Sequence, residues 1–113
     1  MSSIRKRILV ADGDEIVVGL IAHILNGQGY LVDVALTVDE ARDRLVSHRY
    51  AAMLFDSDFA DAVGNSPKLA ARTILLSANS SDSDGRAHAV LQKPIEFALL
   101  IETVAECVKE SGY

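Results

Sequence analysis

A chain of 113 residues, half of them hydrophobic, has the size of one compact domain over 1–113 with its own core and no room for a second. A formal charge of −5 and a pI near 5.0 argue against a surface built to neutralise nucleic-acid phosphates, and the one basic run, Arg5-Lys6-Arg7, is a short strand lead-in. No apolar run approaches the roughly eighteen residues of a membrane span, the N-terminus lacks a signal-peptide pattern, and the single Cys107 excludes an internal disulfide, so the sequence predicts a soluble, cytoplasmic protein with an inert packed thiol.

Along the chain, Ile8 to Ala11 is a continuous apolar run, the pattern of a strand buried on both faces of a parallel sheet. Ile16, Val17, Leu20, Ile21, Ile24 and Leu25 follow at helical spacing and stop at the glycines of NGQGY, which predicts a glycine-terminated helix. Leu31 to Ala35 reads as a second strand, and Thr37-Val38-Asp39-Glu40 has the capping-box spacing that opens a helix through Ala41, Leu45 and Val46. A third strand, Tyr50 to Phe55, runs into Asp56, Asp58 and Asp61; a fourth, Thr73 to Leu76, into Ser77; a fifth, Ala87 to Gln92, into Lys93-Pro94. Phe97, Leu100, Ile101, Val104 and Val108 then mark a last amphipathic helix. Between Asp61 and Arg72, Ser66 as N-cap and Pro67 at the first helical position predict about two helical turns, whereas Asn79 to Gly85 has no apolar periodicity and reads as loop. Strands alternating with helices predict an α/β fold, a right-handed doubly wound parallel sheet whose third and fourth helices are short or absent.

In such sheets ligands bind beyond the carboxyl ends of the strands, where the winding reverses. Asp12, Asp56, Ser77 and Lys93 each lie just past the end of a different strand, so the fold gathers them at one edge. Any one of them alone is an ordinary cap or turn residue; four of complementary chemistry suggest a site. Crowded acids repel one another unless a hard cation sits among them, and Mg2+ prefers a few carboxylates, a carbonyl and waters. A carboxylate held against such an ion can attack phosphorus, and the oxygens of the resulting aspartyl phosphate need a cation and a hydroxyl donor, which Lys93 and Ser77 supply. Asp56 is the expected nucleophile because it ends the central strand, within reach of neighbours on both sides.

The stretches ILVADGDE, YAAMLFDSDFADAVG, TILLSA and VLQKP, in that order, resemble the receiver domain of two-component response regulators over nearly the whole chain. The resemblance implies a flavodoxin-like fold of five parallel strands in the order 2-1-3-4-5. It implies that Asp56 is the phospho-accepting aspartate, Asp12 the first acid of a metal pair, Ser77 the switch hydroxyl and Lys93 the phosphate-pairing lysine, with the carbonyl of Asp58 joining Asp12 and Asp56 around Mg2+. It further implies a histidine kinase or phosphotransfer protein as phosphoryl donor, a downstream protein target, and no enzymatic activity beyond self-phosphorylation and slow autodephosphorylation.

Three departures from the receiver pattern accompany these matches. Where receivers usually carry two adjacent acids this sequence has Asp12-Gly13, so a direct metal carboxylate is missing. Asp14 reads either as a helix-start acid favoured by the dipole or as a water-mediated ligand, and the Asp58 side chain either compensates for the missing ligand through water, repels an incoming donor or positions a hydrolytic water. The position three before Lys93, commonly aromatic in receivers, is Val90, which cannot swing a ring between buried and exposed states. The intervals from Asp56 to Ser77 and from Ser77 to Lys93 are short, so apolar strand surface on the side of the second, third and fourth helices is expected to be poorly covered, which predicts a homodimer or a docking face there.

Two other readings remain open on the sequence. One keeps the fold as a phosphorylation-independent pseudo-receiver, an interaction module. The other takes LFDSD as the strand-then-DxD motif of haloacid-dehalogenase phosphatases, although here it follows the third strand and only Glu96 and helix follow Lys93. His23, His48 and His88 show no ligand spacing and read as surface or partly packed, and Phe55, Phe59 and Phe97 as core or rim.

Overall fold

The computed structural model describes residues 5–63, 71–78 and 87–111. Along them run β1 (Arg7–Ala11), α1 (Glu15–Gly27), β2 (Leu31–Ala35), α2 (Val38–Ser47), β3 (Ala52–Asp56), α3 (Ser57–Val63), β4 (Thr73–Ser77), β5 (Ala89–Gln92) and α4 (Phe97–Ser111). The strands make one sheet in the order β2-β1-β3-β4-β5 with every neighbouring pair parallel, the flavodoxin-like arrangement that the sequence predicts.

Strands flanked on both sides of a parallel sheet must be apolar on both faces, and Ile8 to Ala11 of β1 and Ala52 to Phe55 of β3 are all buried. Their alternation divides the core. Ile8, Val10, Leu54, Ile74, Leu76 and Leu91 pack with Val18, Ile21 and Leu25 of α1 and with Leu100, Val104 and Cys107 of α4. Leu9, Ala11, Met53 and Phe55 pack on the opposite face with Ala41 of α2 and Phe59 of α3. Register then aligns the carboxyl ends: Ala11 lies beside Ala35 and Phe55, Asp56 beside Leu76, and Ser77 beside Gln92.

The ends of α1 and α2 follow local chemistry closely. Asp14 caps α1, its Oδ1 accepting from the amides of Ile16 and Val17 at 3.0 and 3.3 Å. Gly29, at φ 95°, supplies the left-handed turn that sends the chain from α1 into β2, a conformation in which a side chain would be strained. On α2, Thr37 Oγ1 accepts from the Glu40 amide at 3.1 Å, but Glu40 Oε1 returns its bond to the amide of Leu36, one residue before the cap, at 2.9 Å. The box is therefore closed one residue early.

Several expectations are corrected. The third helix begins directly after Asp56, whereas the sequence predicts a helix start only at Ser66-Pro67. Asp, Ser and Asp favour turns because their side chains bond nearby amides, and here that same capacity starts a helix: Asp56 Oδ2 accepts from the Asp58 amide at 3.3 Å while Phe59 anchors α3 in the core. The Ser66-Pro67 helix start and the Asn79–Gly85 loop lie outside the described residues. The expectation of bare strand surface is also corrected at β4, where Leu75 is 3% exposed and Thr73 and Ser77 are buried as well. On α1 the buried stripe is Val18, Ile21 and Leu25, and Ile16 and Leu20 of the predicted apolar face are exposed, as are Phe97 and Leu99 on α4. Among the described residues no helix is long and apolar enough to cross a membrane.

Candidate functional site

The site is built by four strand ends. Asp12 follows β1, where its backbone amide donates to Ala35 O of β2 at 3.2 Å and its Oδ1 accepts from the Asp14 amide at 2.9 Å. These two bonds fix the loop, and the residue is 3% exposed. Asp56 closes β3 and is half-buried. Ser77 closes β4 one position beyond the register partner of Asp56 and is fully buried. Lys93 follows β5, tied to β4 by its amide, which donates to Ser77 O at 2.7 Å; the Lys93–Pro94 peptide is cis.

From that anchor the Lys93 side chain reaches across to both acids. Its ammonium donates to Asp12 Oδ2 at 2.7 Å and to Asp56 Oδ1 at 2.9 Å, distances of charge-assisted hydrogen bonds. Burial by itself would lower the lysine pKa, but the hydrogen bonds and charges of Asp12 and Asp56 outweigh it and raise the value above the ordinary one. The ammonium is therefore firmly protonated. Of the five residues expected to form the site, the structure brings Asp12, Asp56 and Lys93 into direct contact. It sets Ser77 beside them on the next strand and leaves the Asp58 residue exposed in the first turn of α3.

As arranged, the Asp12 and Asp56 carboxylates are bridged by the Lys93 ammonium. Among the described residues no three His, Cys, Asp or Glu side chains are grouped closely enough to hold one. The Asp14 carboxylate, a possible water-mediated ligand on the sequence, is instead engaged with the start of α1. Gly13 brings no carboxylate, and a Cβ built on it meets no atom within 4 Å. Val90 lies half-buried in β5 opposite Leu75. The histidines stay apart from the site: His48 packs edge-on against Tyr50, and His88, one residue before β5 and not within it, lies 3.4 Å from Glu110.

Sequence reasoning missed an apolar groove of about 240 Å³ beside the acids. Val17, Leu20 and Ile21 of α1 form one wall, Pro94, Ile95 and Phe97 the other, and Lys93 lines it as well as the site. A signal was present: the apolar positions of α1 cover 16, 17, 20, 21, 24 and 25, a wider arc than a helix packed on one face needs.

No protein-family model matches the sequence and no curated protein matches it. Solved structures do match. The chain is similar to a CheY-like response regulator receiver domain protein from Methanospirillum hungatei JF-1, with a TM-score of 0.81 at 22% identity over 96% of this chain and 98% of that one. It is similar to a putative response regulator from Chloroflexus aurantiacus J-10-fl, TM-score 0.79 at 21% identity over 94% and 99% of the two chains. Likewise it resembles the chemotaxis response regulator CheY4 of Vibrio cholerae, TM-score 0.75 at 19% identity over 92% and 99%. With its five parallel strands in the order 2-1-3-4-5 and nearly complete mutual coverage, the chain has the fold of the CheY-like response-regulator receiver domains.

Proposed function

We propose that the chain is a signalling receiver in which Asp56 accepts a phosphoryl group from a phosphohistidine on a histidine kinase or phosphotransfer protein, and that it signals by protein contact. The observation that carries this reading is the convergence of Asp12, Asp56 and Lys93 at one sheet edge, with the Lys93 ammonium 2.9 Å from Asp56 Oδ1. An Asp56 oxygen attacks phosphorus, the P–N bond to the donor imidazole breaks, and the imidazole nitrogen leaves with the bonding pair and takes up a proton. Lys93 pairs with the new phosphoryl oxygens, and Ser77, on the adjoining strand end, is their hydroxyl donor in this reading. The groove beside the acids, apolar and open along α1, suits the apolar face of a donor helix, which would bring its phosphohistidine to Asp56. This is regulatory chemistry, so steady turnover of an aryl phosphate is not expected.

The test is incubation with phosphoramidate, a small P–N phosphoryl donor, followed by intact mass measurement. A gain of one phosphoryl group in the wild type and none in Asp56→Asn is the expected result. No gain in either favours a second reading, the phosphorylation-independent interaction module, which is supported by Gly13 and by Val90 in place of a rotatable aromatic side chain.

A further inference from the structure

We propose that Lys93 is the resident cation of this site: its ammonium holds the position between Asp12 and Asp56 in place of a divalent ion, and the aspartyl phosphate forms against that ammonium without metal. The inference rests on Asp56 being the phosphoacceptor, and it goes further by naming the counter-ion.

All four oxygens of the two carboxylates already have a donor from the chain. Asp12 Oδ1 accepts from the Asp14 amide and Oδ2 from Lys93; Asp56 Oδ1 accepts from Lys93 and Oδ2 from the Asp58 amide. A Mg2+ ion asks for near-octahedral oxygen at roughly 2.0–2.1 Å and gives up its waters reluctantly, and on these carboxylates it would meet the repulsion of the ammonium already bridging them. Two carboxylates and one ammonium leave the cluster a single net negative charge, a weak lure for a divalent ion. Among the described residues no third carboxylate is grouped with these two: Asp14 caps α1, position 13 is glycine, and Asp58 is exposed in the first turn of α3. A Cβ built at position 13 meets no atom within 4 Å, so a side chain can start there without a clash. With phosphoramidate as donor, an Asp56 oxygen bonds to phosphorus, the P–N bond breaks and ammonia departs carrying the proton of the nitrogen. Lys93 keeps its own protons and shifts from carboxylate to phosphoryl oxygen.

The first measurement is binding of Mn2+, a paramagnetic stand-in for Mg2+, followed through broadening of backbone amide signals in the whole chain. The wild type is expected to show no saturable broadening around Asp12 and Asp56, while Gly13→Asp and Lys93→Met each gain it, with affinity at least about tenfold above the wild type. Amide dispersion confirms that each variant is folded, and adding Asp12→Asn to Gly13→Asp should remove the gain. Saturation of the wild type at the same concentration as Gly13→Asp, or no gain in either variant, overturns the proposal. A second arm adds phosphoramidate with EDTA present: phosphorylation of Asp56 is expected to proceed, and a strict requirement for Mg2+ overturns the metal-free step. Failure of Asp56 to take up phosphate with or without metal would instead sink the receiver reading, which leaves the Mn2+ result to be judged separately.

Discussion

The Tyr50 hydroxyl donates to Asp33 Oδ2 across 2.8 Å, and Arg7 Nη1 donates to the same oxygen at 2.9 Å. Three strand segments, the start of β1, the middle of β2 and the lead-in to β3, are thereby joined at a single carboxylate oxygen. Burial and the neighbouring carboxylate both push the Tyr50 hydroxyl pKa up, so it remains a donor throughout the accessible pH range. Burial acts to raise the Asp33 pKa, but the bonds from Tyr50 and Arg7, with the charges of Arg7 and His48, bring it below the usual carboxylate value.

Since the folded-state pKa of Asp33 is lowered, its contribution to stability is present above the unfolded value and is lost as pH falls through the folded one. Asp33→Asn is therefore expected to be less stable than wild type at neutral pH, with the gap narrowing below about pH 4. Urea midpoints across that range check it, and a pH-independent gap would contradict it. Tyr50→Phe, which leaves Arg7 in place, should cost about 1–2 kcal/mol.

Helix caps give a second, local prediction. Thr37→Ala removes the acceptor for the Glu40 amide and should cost about 1 kcal/mol. Asp14→Ala removes the acceptor shared by Ile16 and Val17 and should cost a similar ~1 kcal/mol, without making the Asp12 carboxylate lose its bond from the residue-14 amide. Thermal unfolding of both variants measures the loss; no change in either would mean that water replaces the caps.

The groove along α1 is predicted to take up apolar probes. Leu20 is 45% exposed and Phe97 44% exposed, and both line it. Emission of an anilinonaphthalene sulfonate dye should rise on binding the native chain and fall several-fold in Leu20→Asp. Stability of that variant should stay within about 0.5 kcal/mol of wild type, because the residue lies outside the packed stripe. Equal dye emission in the two proteins would place the bound dye elsewhere.

Cys107 should be nearly inert. It is buried, and burial, reinforced by the Glu110 charge, pushes its pKa to about 11 from an ordinary value near 9. The thiolate fraction at pH 8 is then lower by about a hundredfold. Iodoacetamide should label it slowly in the native chain and rapidly in urea; fast native labelling would show that α4 opens locally.

Much of the fold was legible because apolar runs and punctuation agree. Leu31 to Ala35 lies between Gly29 and the Thr37 cap, and β2 has those bounds. The start of α3 was not legible, because Asp56-Ser57-Asp58 offers the same side-chain acceptors to a turn as to a helix, and the deciding contact is the remote packing of Phe59. The six apolar positions of α1 predicted the helix but not which of them face the sheet, since that depends on where α4 leaves room. In the site, the strand-end rule put Asp12, Asp56, Ser77 and Lys93 at one edge. It could not say that Lys93 would turn to two carboxylates at once, which depends on side-chain direction.

Lys93 and Asp12 are 81 positions apart, and Lys93 enters from β5, at the sheet edge and late in the chain. Its ammonium bridges Asp12 and Asp56, so the pairing of acids at the ends of β1 and β3 depends on a residue delivered by the last strand. β5 pairs with β4 across only 15 positions, Ile74 beside Ala89, so the long-range closure is that of the lysine with Asp12 and not of the strand with its neighbour. Closing the site therefore ties the last strand end of the sheet to the first, and makes the charge balance between the two acids a property of the whole fold.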